Sequence, residues 1–271
     1  MRPHAMECAR RIIVPALLAV LGVFAASRAQ AQVDPLWDHY KVYLTLSHPS
    51  HIEQVTLIDQ FQTRTDDVVQ YLDRLANPVA KDHGAAFYPI NRPELHYTWW
   101  VLSQRPPIDI NVLAINQFGD QYIHVGGPYA GYDTFLLNPA NKNAPTGTPL
   151  PFANHYKCYP AQGAPINVTV GLSDQFFSRG ATVLEPRWFC APCEKRLLNG
   201  TVYPMVDPKQ HYTVYEIDYT NTFWPARISD QFITDFQTDV SFDRFLMVPT
   251  QKELPTPTNS NTWGRVKSLF R

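Results

Sequence analysis

The cysteines Cys190 and Cys193, in the stretch FCAPCEK, are the pair whose type and spacing most directly suggest chemistry. A Cys-x-x-Cys pair exchanges thiol and disulfide when it opens a helix after a strand. It supplies half of a zinc site when a second such pair exists. The chain has four cysteines and no second pair at this spacing, and Pro192 lies inside the motif. Neither the redox nor the zinc reading gains support. His39, His96, His155 and His211 are the next candidates, since imidazole is a common metal ligand and general base. Each is followed by tyrosine and stands at an equivalent place in a repeat. They need not converge, and a structural role at a strand start is expected. Asp59, Asp174 and Asp230 each precede Gln-Phe, but the fourth copy has Asn116. A calcium site or catalytic carboxylate needs the charge. Asp and Asn share only their turn-making hydrogen bonds, so turn caps are expected. Lys81, Lys142, Lys195 and Lys252 close the copies. They are expected to pack their stems and keep their heads in water. Trp37, Trp99, Trp100, Trp188, Trp224 and Trp263 offer material for a sugar or peptide platform, although core positions are expected for most of them. The chain contains no Gly-rich phosphate loop, no Gly-x-Ser-x-Gly elbow and no His-Glu-x-x-His.

The elements that position these residues come in four copies. Each opens with His-Tyr (HYKVY, HYTWW, HYKCY, HYTVY), at spacings of 57, 59 and 56 residues. Each continues through an apolar run to Asp/Asn-Gln-Phe and closes with Pro-x-x-Lys, as in LANPVAK, LLNPANK, FCAPCEK and LMVPTQK. HYKVYLTL alternates with a period of two, which is a strand pattern. TDDVVQYLDRLA places Val68, Val69, Leu72, Leu75 and Ala76 at helical spacing after a capping Thr65. The matching run in copy three carries Pro186 at its middle, which a helix rejects, so a strand is expected. Copies one and three read His-Tyr-Lys, and copies two and four read His-Tyr-Thr. This alternation predicts an all-β protein of two domains, 34–150 and 151–255. Each would be a pair of units sharing a sandwich or barrel-like core.

Aligned on the motifs, Cys158 matches Val42, Trp99 and Val214, while Cys190 matches Ala76, Leu137 and Met247. Two positions that are apolar together or cysteine together are expected to touch. This predicts a Cys158–Cys190 disulfide and leaves Cys193 unpaired.

The 271 residues carry a formal net charge of -1 and only 17% charged residues, with no basic excess for nucleic acid. Arg2, Arg10 and Arg11 precede the apolar run IIVPALLAVLGVFAA, and Ala29-Gln30-Ala31 follows. The pattern is that of a signal peptide cut after Ala31, and the run is short for a membrane span. Residues 256–271 read as a flexible tail, with a Pro/Thr/Asn-rich linker leading to WGRVKSLFR.

The motifs of copy three (HYKCY, SDQF, FCAPCEK) resemble a repeat family of unknown function in exported bacterial proteins. Its half-repeats read H-(Y/F)-x-C-Y, D-Q-F and L-C-x-P-x-x-K. Copies two and four resemble a second form without the cysteines, and copy one lacks both of them. The resemblance implies an extracytoplasmic location and a β-rich repeat, with no activity, cofactor or metal attached. The expected function is a non-enzymatic surface, matrix or binding module with an unknown ligand and no nucleic-acid partner. The alternative is a secreted hydrolase or carbohydrate-active enzyme.

Overall fold

The computed structural model describes residues 33–103, 108–127 and 133–253; the expected leader at 1–31 and tail at 256–271 lie outside them. The described residues form fifteen strands and no helix. Unit one supplies β1 (His39–Thr45), β2 (Ser50–Ile58), β3 (Thr63–His83) and β4 (Ala86–Tyr88). Unit two supplies β5 (His96–Leu102), β6 (Asp109–Asn116), β7 (Gly119–Gly126) and β8 (Phe135–Lys142). Unit three supplies β9 (His155–Gln162), β10 (Val168–Ser173), β11 (Ser178–Leu197) and β12 (Val202–Tyr203). Unit four supplies β13 (His211–Ile217), β14 (Trp224–Ser229) and β15 (Phe236–Glu253). Each unit opens at its repeat histidine. Three units close with one long strand, while unit two divides that role between β7 and β8.

The segment with helical spacing lies within β3. Its pairing with β5 shifts register between Val69 and Leu72 and again between Leu72 and Arg74. Such irregularities insert residues without adding ladder pairs. Inward side chains can therefore fall three residues apart in a strand. Pro186 sits at the matching register shifts of β11 against β13, where a ladder can do without its N–H.

Eight strands close into a barrel. The ring runs β1–β3–β5–β8–β9–β11–β13–β15 and back to β1, antiparallel throughout. Each unit gives it an opening and a closing strand. The expected division into two domains at 150/151 is therefore replaced by one body, and the described residues between 33 and 253 all fall in a single compact unit. Two units contribute only four strands and cannot close; the β8–β9 and β15–β1 pairings between the halves complete the circle.

The barrel interior is filled in layers. Tyr40, Tyr97, Tyr156 and Tyr212 form a ring, each edge-on to the next at centroid distances of 5.2, 5.6, 5.3 and 5.9 Å. This is the geometry aromatic quadrupoles favour. Below them lie the cross-strand pairs Val42/Ala76, Trp99/Leu137, Cys158/Cys190 and Val214/Met247. The next layer is Phe135, Trp188 and Phe245, with the Arg74 guanidinium 4.7, 4.6 and 4.9 Å from their ring centres. Trp99, Trp100 and Trp188 are buried, so they form no exposed platform.

Outside the barrel, four hairpins wrap its wall. They are β2 with the start of β3, β6 with β7, β10 with the start of β11, and β14 with the start of β15. Each hairpin reaches the unit two places further round. There β2 pairs with β11, β6 with β15, β10 with β3 and β14 with β8.

Candidate functional site

The repeated motifs meet at the tips of these hairpins. At each tip the Asp or Asn first caps its own turn, as expected. Asp59 Oδ1 accepts from the amides of Phe61 and Gln62, and Asp174 Oδ1 from those of Phe176 and Phe177. Asn116 Oδ1 accepts from Phe118 N, and Asp230 Oδ1 from the amides of Phe232 and Ile233. The same side chain then binds the opening strand two units away. Tyr43 Oη donates to Asp174 Oδ2 at 2.7 Å, and Trp100 Nε1 donates to Asp230 Oδ2 at 2.7 Å. Tyr159 Oη donates to Asp59, and Asn116 Nδ2 donates to Tyr215 Oη at 3.0 Å.

The next two residues of each tip engage the unit three places on. His39 Nε2 donates to Gln117 Oε1 at 2.8 Å, and Gln175 Nε2 donates to His96 Nε2 at 3.2 Å. His155 Nε2 donates to Gln231 Oε1 at 3.3 Å, and Gln60 donates to His211. The phenylalanines lie beneath lysine ammonium positions. Lys252 is 4.8 Å from the Phe61 ring, Lys81 4.7 Å from Phe118, Lys142 3.9 Å from Phe176 and Lys195 5.0 Å from Phe232. His-Tyr, Asp-Gln-Phe and Pro-x-x-Lys are thus the parts of one lock, built four times.

The four histidines do not converge. Burial lowers all of them, His96 to about 3 and His211 to about 4, with Lys142 and Lys252 respectively adding to the effect. His96 and His211 also donate from Nδ1 to the carbonyls of Glu94 and Lys209. His96 and His211 thus have both nitrogens engaged, and all four are neutral rings, which suits positioning and not proton transfer at neutral pH.

The lysines depart from expectation. Lys81, Lys142 and Lys195 are buried instead of solvated, and only Lys252 keeps a partly open position. The physical reason is the hairpin tip, which lays a phenylalanine across each Nζ and displaces water. Burial lowers Lys81 to about 6 and Lys142 and Lys195 to about 7. Lys142 Nζ lies 2.8 Å from Asn77 Oδ1, and Lys195 Nζ lies 2.8 Å from Asn138 Oδ1. Lys81 Nζ has no hydrogen-bond partner. The positions equivalent to Asn77 and Asn138 hold Ala191 and Val248 in units three and four. The Asn-Pro dipeptides in LANPVAK and LLNPANK are the sequence signal that could have revealed this difference.

Strand geometry sets the roles of the cysteines. Cys158 and Cys190 are direct cross-strand partners and form a disulfide, with Cα atoms 3.9 Å apart. Cys193 is free and buried. Three residues along a strand reverse the face. Cys190 therefore points into the barrel, and Cys193 joins the cluster between wall and hairpins. Among the described residues no three His, Cys, Asp or Glu gather as a metal site.

A family model described as a Repeat of unknown function (DUF7450) matches residues 129–248. The match takes in β8 and units three and four almost to the end of β15. It agrees with the repeat family that the motifs resemble. No curated protein and no solved structure matches the chain.

Proposed function

We propose that the protein is an exported, extracytoplasmic β-repeat scaffold, acting as a surface, matrix or binding module and not as an enzyme. One observation carries this reading: the repeated histidine, Asp/Asn and glutamine side chains bond the protein's own groups at all four hairpin tips. The buried Cys158–Cys190 disulfide is compatible with an oxidising compartment. Among the described residues no helix is long and apolar enough to cross a membrane. The enzymatic alternative draws less support. An open cleft of about 540 Å³ is lined by Ser47, Asn143, Pro225, Ala226, Arg227, Gln237, Thr238 and Asp239. It contains one carboxylate, whereas glycoside hydrolysis ordinarily uses a facing pair.

The test is fractionation of the native host with N-terminal sequencing of the purified chain, followed by turnover assays on glycan and peptide substrates. Recovery outside the cytoplasm with a start after Ala31, and no turnover, is the expected result. Cytosolic recovery of the uncut chain overturns the location. Turnover that Asp239→Asn abolishes overturns the non-enzymatic reading.

A further inference from the structure

Two of the four seams carry a chemical arrangement that the others lack. At the first, Lys142 Nζ lies 2.8 Å from Asn77 Oδ1, and Asn77 Nδ2 donates to Asp174 Oδ2 at 3.2 Å. At the second, Lys195 Nζ lies 2.8 Å from Asn138 Oδ1, and Asn138 Nδ2 donates to Asp230 Oδ2 at 3.5 Å. Lys195, Asn77 and Asn138 are fully buried, and Lys142 is 8% exposed. Both groups sit under a phenylalanine, Phe176 or Phe232. A primary amine, a carboxamide and a carboxyl group are thus held together, in that order, twice in one chain and largely out of water.

We propose that Lys142 with Asn77, and Lys195 with Asn138, are sites of self-catalysed transamidation, which joins each pair through an isopeptide bond. The neutral Nζ adds to the carboxamide carbon Cγ. The bond from Cγ to Nδ2 breaks, and that nitrogen departs as ammonia, leaving an amide between Nζ and Cγ. One amine proton passes to the departing nitrogen by way of the aspartate Oδ2 that already holds it. The aspartate ends as it began, and nothing is oxidised or reduced. No co-reactant is required.

The surroundings favour each step. A lysine is a nucleophile only when neutral, and burial does this most directly. Both lysines are lowered to about 7 by burial, so a large fraction is free amine at neutral pH. Negative charge develops on the carboxamide oxygen during addition. At the first site Gln175 Nε2 donates to Asn77 Oδ1 and can hold that charge. Fixed contact between the reactants replaces a collision, which is the largest advantage available to an intramolecular reaction.

The remaining two seams act as an internal control. Lys81 and Lys252 keep their ring contacts with Phe118 and Phe61, but Val248 and Ala191 stand where the asparagines would be. These lysines have no carboxamide to attack. The links would close loops of 65 and 57 residues and tie unit one to two and unit two to three. Unit three is already closed on itself by Cys158–Cys190. Loop closure restricts the unfolded chain, as a disulfide does.

The experiment is mass spectrometry of the full chain, purified from its host, reduced and unfolded. The expected mass is short by one ammonia per link, two in all. Proteolysis should release branched peptides joining Lys142 to Asn77 and Lys195 to Asn138. An unmodified mass, or branches at other residues, overturns the proposal. Lys142→Met should restore one ammonia and free the Asn77 peptide, whereas Lys81→Met should leave the deficit unchanged. Should Lys142→Met fail to fold, the wild-type mass and its branched peptides decide the matter alone.

Discussion

The seam where Lys142 meets Asn77 and the seam that holds Lys81 are built on the same plan and end in different chemistry. In both, a closing lysine lies under the phenylalanine of a docked hairpin. In the first the amine has a carboxamide oxygen at 2.8 Å. In the second it has no hydrogen-bond partner, because the equivalent residue is Val248. The hairpin partner differs as well: the first lock uses Asp174, the second Asn116. Ring contact is therefore common to all four lysines, while the carboxamide and carboxylate belong to particular seams. Symmetry of fold does not impose symmetry of charge.

The largest test of this difference removes the turn acid. The Asp174 carboxylate is buried, accepts from Tyr43 Oη and Asn77 Nδ2, and lies 3.4 Å from Lys41 Nζ. Asp174→Ala leaves a buried cation with Asp243 as its remaining acid at 3.7 Å. Breaking one side of a buried pair costs roughly 3–5 kcal/mol. Asn116→Ala removes only neutral partners, Tyr215 Oη, Thr250 Oγ1 and the Phe118 amide, at about 1–3 kcal/mol. Urea unfolding of both variants ranks them. Equal losses would show that the charge at the first lock adds nothing.

Next comes the disulfide, which distinguishes unit three from the rest. Cys158→Val with Cys190→Ala reproduces the Val42/Ala76 pair of unit one. The double variant should keep the fold and lose roughly 3–4 kcal/mol, the chain-entropy value for such a loop. A matching far-ultraviolet spectrum with a lowered urea midpoint is the expected outcome. Collapse of the barrel would contradict the equivalence of the four cross-strand pairs.

Much of the fold was legible, for physical reasons that can be named. Strand starts coincide with the repeat histidines because each histidine enters the same lock. Pro186 revealed the strand within β3 because a helix cannot accept its counterpart. The alternation of His-Tyr-Lys with His-Tyr-Thr misled, since it reflects local partners and not domain pairing. Lys41 faces Asp174 and Asp243, and Lys157 pairs with Asp67, whereas Thr98 and Thr213 bond Asp230 and Thr250. The hairpin docking was not legible at all. It joins units two and three places apart, and no periodicity along the chain encodes that reach. Burial of the closing lysines follows from the docking and was hidden with it.

Within any one pH unit a smaller effect separates the lysines. Burial lowers Lys81 to about 6 in the folded protein. The unfolded chain holds this proton up to about pH 10.5, so between those limits it binds more protons than the folded state. Stability should therefore fall as pH drops from about 10.5 to about 6, at about 1.4 kcal/mol per pH unit for one proton. Lys81→Met should remove one proton from that slope in urea titrations. If Lys142 and Lys195 are amides they no longer titrate, and neither adds to the wild-type slope. A slope unchanged by Lys81→Met would show that this amine stays protonated in the fold.

The smallest expected effect concerns Cys193. It is fully buried, lies opposite His155 across the β9–β11 ladder, and faces the cluster between wall and hairpins. Burial pushes its thiol far up, with Asp59 adding to the effect, so it stays protonated and a poor nucleophile. The equivalent place in unit two holds Ala140, which is also fully buried. The site thus accepts a methyl group in a neighbouring copy. Cys193→Ala should cost about 1 kcal/mol, the transfer value of one small buried group, and leave the Cys158–Cys190 bond intact. In the chain cut after Ala31, which lacks Cys8, thiol alkylation of the folded protein should be negligible and should reach one equivalent on unfolding without reductant. Rapid labelling of folded protein would mean that Cys193 is open to solvent, and peptides joining Cys190 to Cys193 would mean that the two cysteines share a face of β11, against the alternation that separates them.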